Sequence, residues 1–376
     1  NKFNIKKIKF ENFKINFDLE KISEYKKFLN NKSYSNSVSF AKGEINFLAD
    51  KQHIAAIRDV NLKYKFNRNN VEAVLNGSFI GDKVIINFES DKRKEAEKTL
   101  VIKLLDSGIF AKVNTINNDL KKDMISGNFL FKKDKSRLTA IFDYKDGKII
   151  IKKSNLRNIF LDGKLNGELK FLPYFNFNLD LVLNSVNFNR LYGILVSLDE
   201  NSKAKLFKIN KKINGHLSMS ANKIFSKHTL INSFESQIKF INGNVLFEQV
   251  LLNLGKLGAA DISGIIKNDE KFSNFKFENN IYLDNLKRFY NKFGIYNKQK
   301  IPYNLFISGN FDLVKLIFYI DEISDENKFK DDDIEYITKE FNNILLEDGY
   351  ASFFNFNKFK EFIRLVSNED NWFNKD

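Results

Sequence analysis

The chain has 376 residues, a formal charge of +14, two prolines and no cysteine. That length suits one large elongated unit or two to three compact domains. The absent cysteines exclude a disulfide scaffold, a thiolate zinc site and a cysteine nucleophile, and no apolar run reaches the ~18 residues of a membrane helix.

Phe3–Leu19 sets Phe13, Ile15, Phe17 and Leu19 in alternation with Lys14, Asn16 and Asp18, which predicts a strand. Glu20–Leu29 carries Ile22, Tyr25, Phe28 and Leu29 at helical spacing and predicts a short helix, before an Asn/Ser-rich loop over Asn30–Ser37. Alternation returns at Ile45, Phe47 and Ala49, at Leu62, Tyr64 and Phe66, and at Val84, Ile86 and Phe88. Asp91–Lys98 reads as a charged hairpin tip or a single helical turn, and Leu100, Ile102 and Leu104 alternate after it. Leu138, Ala140, Phe142 and Tyr144 lead into Asp146–Gly147, a dipeptide that marks a hairpin when alternating runs flank it.

The clearest alternation lies within Lys164–Gly193. There Phe175, Phe177, Leu179, Leu181 and Leu183 alternate with Asn176, Asn178, Asp180, Val182 and Asn184, a strand with one oily face and one mostly polar face. Pro173–Tyr174 and Pro302–Tyr303 each precede an alternating run and fit the first residue of a strand. Three later stretches have helical spacing. Asp284–Phe293 has Asp284 as its expected cap and Gly294 as its stop; Asp331–Glu347 opens on acids, where the helix dipole favours them; Asn357–Val366 completes the set.

A short pattern of apolar residue, Asn or Ser, Gly, any residue, apolar residue recurs seven times. Copies begin at Leu75, Ile125, Leu165, Ile213, Ile241, Ile262 and Ile307, between 21 and 50 residues apart. The uneven spacing argues against a simple β-helix. It fits strands of one long sheet that open on a glycine bend or bulge.

Charge divides the chain differently. Asp321–Asp348 holds eleven acids against three lysines, leaving the remainder at +22. The expected division is a β body over 1–320 and an acidic helical cap over 321–376. A basic body could meet nucleic acid, anionic headgroups or acidic glycans. The Lys, Asn, Ile and Phe richness also fits A·T-biased coding DNA on a solvated face. Lys and Arg are spread over every strand-like segment and not gathered on one element, so nucleic acid is the less favoured partner.

Chemical motifs are missing. His53, His216 and His228 lie far apart without metal-ligand spacing. Gly255–Gly258 lacks the Lys-Ser/Thr ending of a phosphate loop. Asp331–Asp333 reads as a helix start and not as a metal site. No nucleophile elbow is present. No catalytic residue, cofactor or metal is expected.

The block Ile213–Ile266, with its glycine-opened strands, polar excursion and closing Ile-Ser-Gly, resembles the C-terminal region of AsmA-like proteins, the superfamily of the TamB and YhdP types. Leu165–Tyr192 resembles their repeated unit of an alternating strand followed by a short turn over Asn187–Leu191. The resemblance implies a long curled antiparallel sheet, open along one side, with short helices and a helical C-terminal end. It implies a periplasmic, non-enzymatic protein that carries phospholipid between inner and outer membrane, or supports outer-membrane assembly. Its partners would be phospholipid acyl chains, other envelope proteins, and the inner membrane through an N-terminal helix this sequence does not contain. The chain begins at Asn1, so a processed or excised start is expected. The basic charge and the acidic helical end depart from the family pattern.

Physics is compatible with that expectation. A continuous apolar face must be covered, and acyl chains suit a Phe/Leu/Ile lining because each buried methylene contributes ~0.8 kcal/mol without specific contacts. Phe175, Phe177, Leu179, Leu181 and Leu183 are the expected lipid-binding face. The alternatives are a structural or adhesive β-repeat protein whose faces pack into a closed core, a nucleic-acid binder, and a carbohydrate-active β-helix enzyme.

Overall fold

The computed structural model describes residues 7–18, 21, 37–49, 52–66, 70–91, 97–117, 124–170, 175–197, 199, 211, 213–225, 230–268, 273–296, 300–313, 315–326, 328–348 and 356–368. The fold is mainly β, a long mixed sheet that does not close, with a few short helices, the last near the C-terminus. Contacts divide the chain into two units. The first comprises Asn1–Asn158 with Leu165–Pro173, and the second Ile159–Lys164 with Tyr174–Asp376.

In the first unit, β1 (Lys7–Glu11) and β2 (Lys14–Asp18) run parallel to successive halves of β3 (Ser37–Ala49). The break between them falls at Asn12, whose φ is 53°, beside Lys42 at 55°. Phe13 follows and lays its ring against Gly43, where an added Cβ would stand 2.1 Å from it. From β3 onward the ladder is antiparallel and each strand pairs with its neighbour in sequence. It runs through β4 (Gln52–Phe66), β5 (Asn70–Phe79), β6 (Asp82–Asp91), β7 (Glu97–Leu104), β8 (Ile109–Asn117), β9 (Ile125–Lys133), β10 (Ser136–Lys145) and β11 (Lys148–Arg157). Asp146–Gly147 forms the expected hairpin turn with φ of 52° and 75°, the two positive values a twisted two-residue turn demands. Ile80–Gly81 makes the same shape at 52° and 81°. β12 (Leu161–Lys170) contributes residues to both units.

The second unit opens with β13 (Asn176–Asn187), α1 (Phe188–Ser197) and β14 (Asn214–Ala221), the two strands lying parallel. The stretch expected as a short turn over Asn187–Leu191 is therefore the start of a helix. Asn187 caps it by accepting the Arg190 N–H at 3.1 Å. A parallel pair needs such a crossover, because a tight turn returns only an antiparallel strand. The two-residue β15 (Ile224–Phe225) extends the parallel contact with β13. An antiparallel run follows: β16 (Ser233–Ile241), β17 (Asn244–Asn253), β18 (Gly258–Asn268), β19 (Ser273–Leu283), β20 (Tyr303–Asp312) and β21 (Ile317–Ser324).

The three later helices stand where their spacing predicts: α2 (Leu286–Lys292), α3 (Asp331–Asp348) and α4 (Phe356–Asn368). α2 is capped by Asn285 and not by Asp284, because the Asn285 side chain accepts the Arg288 N–H at 3.0 Å. The acidic segment that charge sets apart begins inside β21 and continues into α3. The predicted helix over Glu20–Leu29, apart from Lys21, the loop before Ser37, residues 92–96 of the charged tip, and Pro173 lie outside the described residues.

Six of the seven pattern copies place their glycine inside a strand, and the seventh, Asn242–Gly243, is the β16–β17 turn at φ of 50° and 87°. Register shifts flank Gly77, Gly264 and Gly309, so the pattern marks where a neighbouring strand bulges.

Candidate functional site

Antiparallel pairing at matched register converts each strand's alternation into rows that cross the sheet. In the first unit one row runs Tyr64, Ala73, Phe88, Leu100, Val113, Phe129, strand to strand. The adjacent row on the same face runs Leu62, Leu75, Ile86, Ile102, Ala111, Phe131. Of these twelve side chains only Leu75 is fully buried; Leu62, Ile86 and Ile102 pack against its cluster with Ile57, Val60 and Val84, and the remaining eight are part-buried. Burial on this face raises the Tyr64 phenol above its ordinary pKa. No helix packs on this face among the described residues of the unit. The opposite face is mixed: polar ladders such as Thr99 to Asn114 to Asn128, each step a hydrogen bond of 3.0 Å, share it with the exposed Val74, Ile116 and Ile141.

The second unit repeats the arrangement. One row runs Phe177, Gly215, Phe240, Val245, Ile266, Phe275, and the next runs Leu179, Leu217, Ile238, Phe247, Gly264, Phe277. A third begins Leu181, Met219, Ser236, Val250, Ile262. Burial deepens along them. At the β13 end Phe177, Leu179, Leu181, Leu217, Met219 and Phe240 are only part-buried. Towards β21 the face is covered by α3, whose Leu345 joins Ile238, Val245, Ile266, Phe277 and Phe311 in one cluster. Ile334 and Ile337 of α3 pack with Phe362 and Val366 of α4 over Ile323. Phe311, Phe318, Phe341 and Phe362 form a chain of ring contacts between 4.1 and 5.3 Å from the sheet up through both helices.

All five expected face residues lie on one side of β13. Phe175, just before the strand, stands 5.9 Å from the Phe177 ring, which in turn lies 5.4 Å from Phe240. The Phe177 ring spreads over Gly215, where an added Cβ would come within 2.6 Å of it. Leu183 is 3% exposed and closes the row at its far end with Val186, Ala221 and the half-buried Leu161 and Phe188. Phe177, Leu179 and Leu181 therefore supply the accessible part of the strand's face. The first-unit rows are not assigned by the sequence pattern. Their signal is there, in the alternation at Leu62–Tyr64, Ile86–Phe88 and Leu100–Ile102, but alternation does not say which strands share a line.

Among the described residues polar groups converge at several places, Glu248 for one standing between Lys239 and His216. Asp143 is buried, forms an ion pair with Lys152 and accepts the Ser126 hydroxyl at 2.8 Å. Tyr303 donates to Asp325 at 2.9 Å, and burial first, then that carboxylate, pushes its phenol up. Asp143 and Tyr303 are each satisfied locally, as structural polar groups are. Among the described residues no group of three or more His, Asp or Glu is placed to hold a metal ion, and no helix is long and apolar enough to cross a membrane. No family model matches this sequence, and none of the curated proteins does.

Proposed function

We propose that the chain is a non-enzymatic lipid-carrying β protein of the AsmA-like kind. In this reading phospholipid acyl chains lie along the apolar sheet face within each unit, in the periplasm, on the path between inner and outer membrane. The observation that carries the reading is the apolar face of the first unit, whose outer row of Tyr64, Ala73, Phe88, Leu100, Val113 and Phe129 is only part-buried and has no helix over it among the described residues. Leaving that much hydrocarbon wet is unfavourable by about 25 cal/mol per Å², and an acyl chain removes the cost without needing a specific contact. Lipid transfer between envelope membranes and support of outer-membrane assembly are both served by such a face.

The test is photocrosslinking in cells. A benzophenone side chain at Leu100 or Ile102 in the first unit, or at Leu179 or Leu181 in the second, is expected to capture phospholipid. The same group at Lys112 or Asp180, on the opposite faces, is expected to capture little. Equal labelling from both faces, or none from either, overturns the reading and leaves the scaffold with a filled interior.

A further inference from the structure

One end of the first unit's sheet combines two features that work against stability. Ile80, at the β5–β6 turn, is 84% exposed and sits at φ 52°, a left-handed conformation that suits Asn or Gly and strains a β-branched residue. Leu105, at the β7–β8 turn, is 51% exposed. The two turns are fastened side by side. The Leu105 N–H donates to the Lys83 carbonyl at 2.9 Å, and the Asp82 carboxylate accepts the Asp106 and Ser107 N–H groups at 2.9 and 3.0 Å. Asp106 in turn accepts the Lys83 N–H at 3.1 Å.

The second feature lies just behind these turns. On the polar face Lys103 stands opposite Phe110, Phe110 opposite Lys132, Lys132 opposite Arg137, and Arg137 opposite Arg157. No acid interrupts the row. Like charges directly opposite one another weaken a sheet. The β9–β10 turn at the same end is Asp134–Lys135, preceded by Lys133.

Aliphatic tips in front of a cationic row match one surface in particular. From this juxtaposition we propose that this end of the first unit docks on the surface of an anionic phospholipid bilayer. Ile80 and Leu105 enter the interfacial layer, while Lys103, Lys132 and Arg137 face the headgroups. A membrane-surface element carries this division of apolar tip and basic flank. Single-stranded nucleic acid would call for several exposed aromatic stacking platforms beside the cations; here a single part-buried ring, Phe110, stands in the row, and the tips are aliphatic. The inference concerns a turn-bearing edge, not the apolar faces, and it stands or falls separately from acyl-chain capture.

The test is flotation of the full chain with vesicles of phosphatidylcholine alone or mixed with phosphatidylglycerol. Binding is expected to the anionic vesicles only and to fall as salt rises. Replacing Ile80→Asn together with Leu105→Asn is expected to lower partitioning about tenfold or more. Replacing Lys132→Gln together with Arg137→Gln is expected to lower it about 25-fold, roughly fivefold per charge. Lys276→Gln in the second unit is expected to change nothing. Thermal midpoints of all variants, read alongside, separate lost docking from lost fold. Equal binding to neutral vesicles, no binding, or binding indifferent to both paired variants overturns the proposal. So does an oligonucleotide bound more tightly than vesicles and released by the Lys132/Arg137 pair but not by the Ile80/Leu105 pair.

Discussion

Gly215 shows how a single missing side chain places a candidate site residue. Phe177 lies opposite it in the parallel β13–β14 pair, and an added Cβ would meet both the Phe177 ring and its carbonyl oxygen at 2.6 Å. The backbone oxygen cannot move aside as a ring can, so Gly215→Ala is expected to cost about 1–3 kcal/mol of stability, seen as a lowered denaturant midpoint. Asp82 works through charge. The Ser107 hydroxyl first, with the Asp106 and Ser107 backbone N–H groups, holds its carboxyl below its ordinary pKa. A lowered folded value means the clip contributes above the usual carboxylate range and is lost as pH falls through that lowered value. The amide signals of Asp106 and Ser107 are expected to shift together in that acid window, and Asp82→Asn should abolish the titration.

At the scale of elements, the exposed edge of β21 is the weak point of the second unit's ladder, and α3 closes it. Asn342 donates through Nδ2 to the Phe318 carbonyl at 2.8 Å and accepts the Phe318 N–H through Oδ1 at 2.7 Å. One amide side chain thus replaces a missing strand at that residue. Asn342→Ala removes both bonds and is expected to cost about 2 kcal/mol; urea melts would show it, with faster amide exchange at Phe318. The elements themselves are largely legible in the amino-acid sequence. Alternation is local, so β13, the Asp146–Gly147 turn and the three later helices can be read from neighbouring residues. What cannot be read is long-range: Phe177 finds Gly215 across a parallel joint. α1 is hidden although Asn187 and the apolar spacing from Phe188 carry a cap-and-helix signal, because the preceding strand makes a return turn the simpler expectation.

Across the whole molecule, the apolar faces leave a thermodynamic trace. The heat-capacity change of unfolding follows apolar surface newly exposed to water, about 12–15 cal/mol/K per residue in ordinary globular proteins. Rows such as Phe88–Leu100–Val113 are already partly wet in the folded chain. Calorimetry of the protein free of added lipid is therefore expected to give a value below that range, and the proposed lipid carriage predicts that it rises when phospholipid is supplied. The way the strands are joined also sets an order of assembly. From β3 to β11 each strand pairs antiparallel with the next along the chain, so those ribbons can zip one after another as the polypeptide leaves the ribosome, at little entropic expense. The β13–β14 seam has no such shortcut. Its two halves meet only after the chain from Asn187 to Asn214 has been gathered in, a closure whose penalty grows with the length enclosed. The parallel joints of β1 and β2 with β3 face a similar closure, so refolding kinetics should hinge on these parallel joints, and shortening the stretch between β13 and β14 should speed the phase that belongs to that seam while leaving the antiparallel ribbons' formation untouched.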